Sequence, residues 1–250
     1  MSPVQAFESV STWRQPAPSP ASAARSALIA DVAAQVAGLG PGRLRVAIDG
    51  LTCAGKTSFG HELATALRKL GRPTARASLD DFKNPWREAR EQGYDRLSGE
   101  GYYRNAYDFG SARSLLLAPA GPGGSGVLVL CAHDPLTGED HRGKTVATPA
   151  GTVLIVDSVF AFRPEYSEFW DYRIWLEVGA GEALRRGIAR DAPMEGAADA
   201  ERVHRDRYHV AELVYRAEVD PLLAADLVID NSDFAAPRIV SAGRRRSSGL

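Results

Sequence analysis

A chain of 250 residues with 44% apolar side chains can bury one substantial core, so a single domain with short appendages is expected. Thirty basic against 31 acidic side chains leave a formal charge of -1, which argues against a general nucleic-acid surface, because such surfaces concentrate cation to release counterions. Two cysteines, Cys53 and Cys131, do not suggest a disulfide framework, and no stretch stays apolar long enough to span a bilayer, so a soluble protein of a reducing cytoplasm is expected.

Residues 1–20 carry Pro3, Pro16, Pro18 and Pro20 among small polar side chains and read as a flexible arm. Residues 21–37 place Leu28, Ile29, Val32 and Val36 at helical spacing, ended by Gly38, and open a single domain expected over 21–240. The apolar run 44–48 reads as a buried strand. It runs into Gly50, Gly55, Lys56 and Thr57 at the spacing G-x-x-x-x-G-K-S/T, and residues 58–70 then carry Phe59, Leu63, Ala66, Leu67 and Leu70 at helical spacing. A glycine-rich loop between a strand and a helix lets bare backbone N–H groups close round an anion, which the helix N-terminus also favours. Gly50, Thr52, Cys53, Ala54, Gly55, Lys56, Thr57 and Ser58 are therefore expected to cradle the phosphates of ATP, with Lys56 on the outer phosphates and Thr57 on Mg2+.

A second strand is expected over 74–79, ending in Asp80 and Asp81, followed by a long irregular region rich in aromatic and charged residues. Further elements are a short helix at 111–117, strands at 127–132, 152–156 and 172–178, helices at 182–190 and 200–219, and a last strand at 227–229. Residues 241–250, with Arg244 to Arg246 among Ser and Gly, read as a flexible tail. Strands alternating with helices predict an α/β fold with a mostly parallel sheet, in which ligands gather at the C-terminal strand ends. Asp49, Asp80, Asp81 and Asp157 all fall at such ends. Phosphoryl transfer to an alcohol needs a carboxylate near the attacking hydroxyl and charge neutralisation at the transferred group. Asp80 is the candidate base and Asp157 the candidate for the metal's hydration shell, although either residue type also serves as a cap or turn. Arg186 and Arg190 share one helical face and read either as a pair that closes over the phosphoryl group or as a solvated face. Trp86, Tyr102, Tyr103 and Tyr107 read either as a stacking platform or as packing, and His133 as a hydrogen-bond donor to the acceptor or a core histidine. The triplets Asp108-Phe109-Gly110 and His204-Arg205-Asp206 occur in the reverse of protein-kinase order and carry no function.

Taken together, VAIDGLTCAGKTS, SLDDF, EGYYRNAYDF, VLIVDSVFAFRPE, RRGIARD, AEVDP and ADLVIDNSD resemble the uridine kinase and phosphoribulokinase branch of P-loop kinases over about residues 45–233. The resemblance implies a P-loop kinase fold with a mobile helical lid bearing Arg186 and Arg190, a base at Asp80 that also approaches magnesium, a metal-supporting acid at Asp157, and an adenine border at Asp230 and Asn231. It also implies an acceptor side built from Asp80, Asp81, Lys83, Trp86, Tyr102, Tyr103, Asn105, His133 and Arg190. Departures fall on that side: Lys83 stands where uridine kinases have Tyr, and Tyr102 aligns with their ribose-binding Asp. Glu195 and Ala197 replace a second lid arginine pair, and Ser158 a Gly. The function expected is ATP-dependent phosphorylation of a hydroxyl on a nucleoside or nucleoside-like acceptor. Alternatives are a kinase for a sugar, a pantothenate-like acid or a specialised metabolite, or a non-catalytic ATP-binding regulator. No nucleic-acid or membrane partner is expected, and homodimerisation is left open.

Overall fold

The computed structural model describes residues 4–13 and 21–242. Its first elements are a two-residue strand, β1 (Ala6–Phe7), and helix α1 (Ala23–Ala37), where the Ser22 side chain accepts from the Arg25 N–H and satisfies a free amide of the first turn. Strand β2 (Leu44–Gly50), helix α2 (Lys56–Lys69) and strand β3 (Thr74–Ser78) follow. After a tight turn at Leu79–Phe82 come α3 (Trp86–Gln92) and α4 (Gly99–Asn105). The region expected to be irregular therefore contains two helices, each of seven residues and too short for apolar periodicity to stand out. A helical stretch is then built from α5 (Phe109–Ser111), a π turn at Ala112–Leu117 and α6 (Ala118–Ala120).

Strand β4 (Val127–Val129) pairs antiparallel with β5 (Thr145–Ala147) in a separate ribbon, so the apolar run at 127–132 stands outside the main sheet. The chain returns through β6 (Val153–Asp157) and β7 (Tyr172–Glu177) to helices α7 (Ala180–Glu195) and α8 (Ala197–Val203). A π turn at His204–His209 joins α8 to α9 (Val210–Glu218), and α10 (Pro221–Ala224), β8 (Leu227–Asp230) and β9 (Arg238–Ala242) complete the order.

The main sheet runs β1-β3-β6-β2-β7-β8-β9, parallel throughout except for β9. Continuous apolar runs such as VLIV in β6 are what strands covered on both faces require, and Val46, Ile48, Ile155, Val156, Ile174 and Leu176 have no exposed surface. Helices α1 and α2 pack on each other, α1 burying Val32 and Val36 and α2 burying Phe59, Leu63 and Leu67. Register matters most for function: Asp157 lies opposite Ile48 on one side and Ser78 on the other. Neighbouring strands sit about 4.8 Å apart, so the segments leaving β2, β3 and β6 emerge side by side.

Part of the expected arm is laid against this sheet. β1 pairs parallel with β3, Thr74 N–H donates to Gln5 O at 3.1 Å, and the Thr12 hydroxyl donates to Asp134 Oδ1 at 2.8 Å. The edge of β3 would otherwise present unpaired backbone groups. Likewise Ser241 and Ala242, expected in the tail, belong to β9. The remaining arm residues 1–3 and 14–20 and the basic run Arg244 to Arg246 lie outside the described residues. Among the described residues no helix is long and apolar enough to cross a membrane.

Candidate active site

The loop between β2 and α2 turns back on itself through positive φ angles at Cys53 (63°) and Gly55 (91°). Gly55 is required twice over: its φ is unfavourable for a side chain, and a Cβ there would stand 2.7 Å from Asn231 Nδ2. That Asn231 group donates to Ala54 O at 2.7 Å and pins the loop from the end of β8. Lys56 folds over the loop, its Nζ donating to Gly50 O at 3.0 Å and Leu51 O at 2.8 Å, and Ser58 follows in the first turn of α2. No side chain caps α2, leaving its first N–H groups for an anion. Thr52 N–H is already matched, donating to Glu212 Oε1 of α9 at 2.6 Å. Beneath the loop, buried Asp49 accepts from Gly50 N–H at 2.7 Å and from the Tyr215 hydroxyl at 2.7 Å.

Register brings Thr57 and Asp157 together: the hydroxyl donates to Asp157 Oδ2 at 2.7 Å. The other carboxylate oxygen accepts from Arg76 Nη2 at 2.5 Å, and Arg76 Nη1 donates to Ile155 O at 2.7 Å. This buried arginine on β3 lies against α2, where a Cβ at Gly60 would stand 2.6 Å from its guanidinium. Arg76 is a residue sequence reasoning missed. A cation in the run TARAS was its one signal.

Asp80 lies just past β3, its N–H donating to Ser78 Oγ at 3.2 Å while that hydroxyl donates to Asp157 O at 3.1 Å. Asp80 Oδ1 accepts from the Tyr107 hydroxyl at 3.1 Å and is 2.9 Å from Lys83 Nζ. Burial pushes the Asp80 carboxyl up, but Lys83, Lys56 and the Tyr107 hydroxyl outweigh it and hold the group below the usual carboxylate range. Lys83 Nζ also lies 5.4 and 5.5 Å from the ring centres of Tyr102 and Tyr107. Loss of charge on Lys83 is opposed, since burial lowers its pKa but the Asp80 carboxylate raises it further.

Of the other expected acceptor residues, Asp81, Tyr103 and Asn105 have side-chain polar groups engaged by other segments. Asp81 is buried and accepts from Ser9 Oγ at 2.7 Å, fastening the N-terminal segment. Tyr103 is fully buried, its hydroxyl donating to Glu218 at 2.9 Å under the Arg163 guanidinium, so packing fixes it. Asn105 donates to Asp95 O at 2.7 Å, and buried His133 donates its backbone N–H to Asp81 O at 3.0 Å. Trp86 is exposed and stacks on Arg96 at 4.1 Å. Of the two arginines expected in a lid, Arg186 donates to Ser232 O at 2.5 Å beside Asn231, whereas Arg190 is held bidentate by Asp191 at 2.6 and 2.8 Å. Asp191 also bonds His204 Nε2 at 2.8 Å. His204 of the kinase-like triplet is thus a packing residue, and Asp108 of the other caps α5 through Ser111 N–H.

A parallel sheet in this order, with a glycine-rich loop between its central strand and a helix, is the P-loop kinase fold. Solved structures share it. A possible uridine kinase from Bacillus stearothermophilus matches at a TM-score of 0.61 and 23% identity, over 82% of this chain and 96% of that one. A candidate fructose transport system kinase from Silicibacter sp. TM1040 matches at 0.60 and 21%, over 76% and 94%. No protein-family model matches the sequence, and no curated protein does.

Proposed function

We propose that this chain is a magnesium- and ATP-dependent kinase that transfers the γ-phosphoryl group to a hydroxyl of a nucleoside or nucleoside-like acceptor. The carrying observation is the 2.7 Å bond from Thr57 to Asp157 at the foot of the phosphate loop, with Asp80 just beyond the strand position that faces Asp157. In this reading the loop amides and the start of α2 hold the triphosphate, Lys56 exchanges the loop carbonyls for the outer phosphates, and Asn231 and Arg186 border the adenine. Among the described residues no three His, Cys, Asp or Glu side chains gather as a metal cage. That fits Mg2+, which takes one or two protein oxygens and completes its shell from phosphates and water. Thr57 would hold it, Asp157 and Asp80 would reach its water shell, and when bound it would neutralise charge on the phosphates.

Asp80 then takes the proton of the acceptor hydroxyl as that oxygen bonds to the γ-phosphorus and the bond to the ADP oxygen breaks. Helix α7, bringing Arg190 towards the transferred group, is the candidate lid. The names of the two solved structures, a possible uridine kinase and a candidate fructose transport system kinase, agree with a hydroxyl acceptor. A second reading, a hydroxyl acceptor that is no nucleoside, is favoured by Lys83 beside Asp80. Asp80→Asn tests the shared step: acceptor-dependent ADP release is expected to fall by about a hundredfold or more, while the rise in Tm given by ATP persists. Unchanged turnover removes Asp80 from the role of base.

A further inference from the structure

Lys83 turns inward onto the candidate base rather than out to solvent, its side chain 23% exposed. Its ammonium and the Tyr107 hydroxyl both occupy Asp80 Oδ1. A carboxylate engaged in this way is a poor proton acceptor. For Asp80 to act, the ammonium has to move, and a neutral polyol offers it no stronger partner than the one it has.

Further cations stand close by. Buried Arg96 donates to Asn84 O, on the residue after Lys83, and its Nε is buried with no hydrogen-bond partner. The Tyr102 ring centre lies 5.4 Å from Lys83 Nζ. Arg207, from the π turn, stands 5.9 Å from the Trp86 ring on which Arg96 stacks. Arg207 is half-buried and donates to Leu97 O at 2.9 Å, whereas among the described residues buried Arg96 has no ion-pair partner, and such a cation is costly unless a ligand supplies the opposite charge.

On the kinase reading above, we propose that the acceptor carries a carboxylate or phosphate a few carbon atoms from its reacting hydroxyl, that Lys83 binds this anion with Arg96 behind it, and that the anion draws Lys83 off Asp80. The spacing follows from the pair. In the resting pair Lys83 Nζ is 2.9 Å from Asp80 Oδ1, and once drawn off it is still tethered three residues away, so the anion it holds must lie within a lysine side chain's reach of the hydroxyl at Asp80. Cations are needed there for another reason: an anionic acceptor approaches a triphosphate, and without them the two would repel. The proposal narrows the acceptor to charged compounds and sets neutral nucleosides aside.

Matched pairs decide it: glycerate against glyceramide, gluconate against glucitol, ribose 5-phosphate against ribose, and orotidine against uridine. Binding to the full chain is measured by calorimetry with a non-hydrolysable ATP analogue and Mg2+, and ADP release with ATP is measured separately. At least one charged member is expected to bind about tenfold or more tightly than its neutral partner, the carboxylate and phosphate pairs identifying the anion. Lys83→Met should shrink that preference to about twofold or less, with the Tm rise given by ATP unchanged, and Lys83→Arg should restore part of it. Equal binding within every pair, or no binding of any charged member, overturns the proposal. So does a preference that survives Lys83→Met in a folded variant. Should that variant fail to fold, the wild-type pairs alone decide. Charged preference without ADP release upholds the anion site while defeating the kinase reading.

Discussion

Asp49 has no exposed surface, and burial pushes its carboxyl up to about 6 against the hydrogen bonds from Tyr215, Gly50 and Phe162 and the charge of Lys56. In the unfolded chain the same group titrates near 3.8, so between those values the folded protein binds more protons. Stability therefore falls as pH rises from about 4 to 6 and levels off above, by at most ~3 kcal/mol. Asp49→Asn is expected to flatten that segment of the curve in urea titrations, and an identical slope in variant and wild type would show that folding does not raise the Asp49 pKa. Asp191 acts in another window. Burial raises its pKa, but Arg190 and His204 hold it far below the usual range, so its contribution fades only in acid below about pH 4. The acids Asp49, Asp80 and Asp157 were legible in the sequence because each stands at the end of an expected strand. The cations that govern them, Arg76 and Lys83, were not legible as partners, since nothing local in the chain says which carboxylate a long side chain reaches.

Helix α1 does more than cover the core. Its Arg25 is fully buried, pairs with Glu62 of α2 at 2.6 Å, donates to Asn231 Oδ1 at 3.0 Å, and stacks on Phe234 at 3.8 Å. It thereby holds the asparagine that holds the β2–α2 loop. Arg25→Met leaves Glu62 and Asn231 without their cation, and is expected to cost about 3–5 kcal/mol in urea unfolding. The Tm rise given by ATP should shrink with it. A stable variant with undiminished ATP response would show that Asn231 needs no support. Gly187 is the corresponding point on α7, where a Cβ would come within 2.1 Å of the His204 ring. Gly187→Ala should force α7 off the α8–α9 arm and lower stability by about 1–3 kcal/mol; circular-dichroism melts at matched concentration check it. Helices α1 and α2 were readable, as 21–37 and 58–70, because amphipathic spacing persists over several turns. Helices α3 and α4 were not, because seven residues give too few repeats.

At the scale of the molecule, the parallel sheet decides which loops meet. Its free β3 edge is covered by residues from the N-terminal segment, and Ser9 and Thr12 tie that segment to Asp81 and Asp134. Removing residues 1–13 should uncover the edge, lower Tm by several degrees and promote self-association. Calorimetry and light scattering would show it, and a truncated chain that melts and scatters like the full one would assign the segment no structural part. By itself the sequence determined the glycine-rich loop, its strand and helix, the main parallel strands and the acids at their ends, because these are written in contiguous residues with fixed periods. Only the tertiary structure decided that 127–132 leaves the main sheet, that Asp81 and Tyr103 turn away, and that Arg25, Arg76 and Lys83 meet Asn231, Asp157 and Asp80. Most of those contacts join residues far apart in the chain, and even the near pair of Lys83 and Asp80 depends on packing round two tyrosines, so no local pattern announces them.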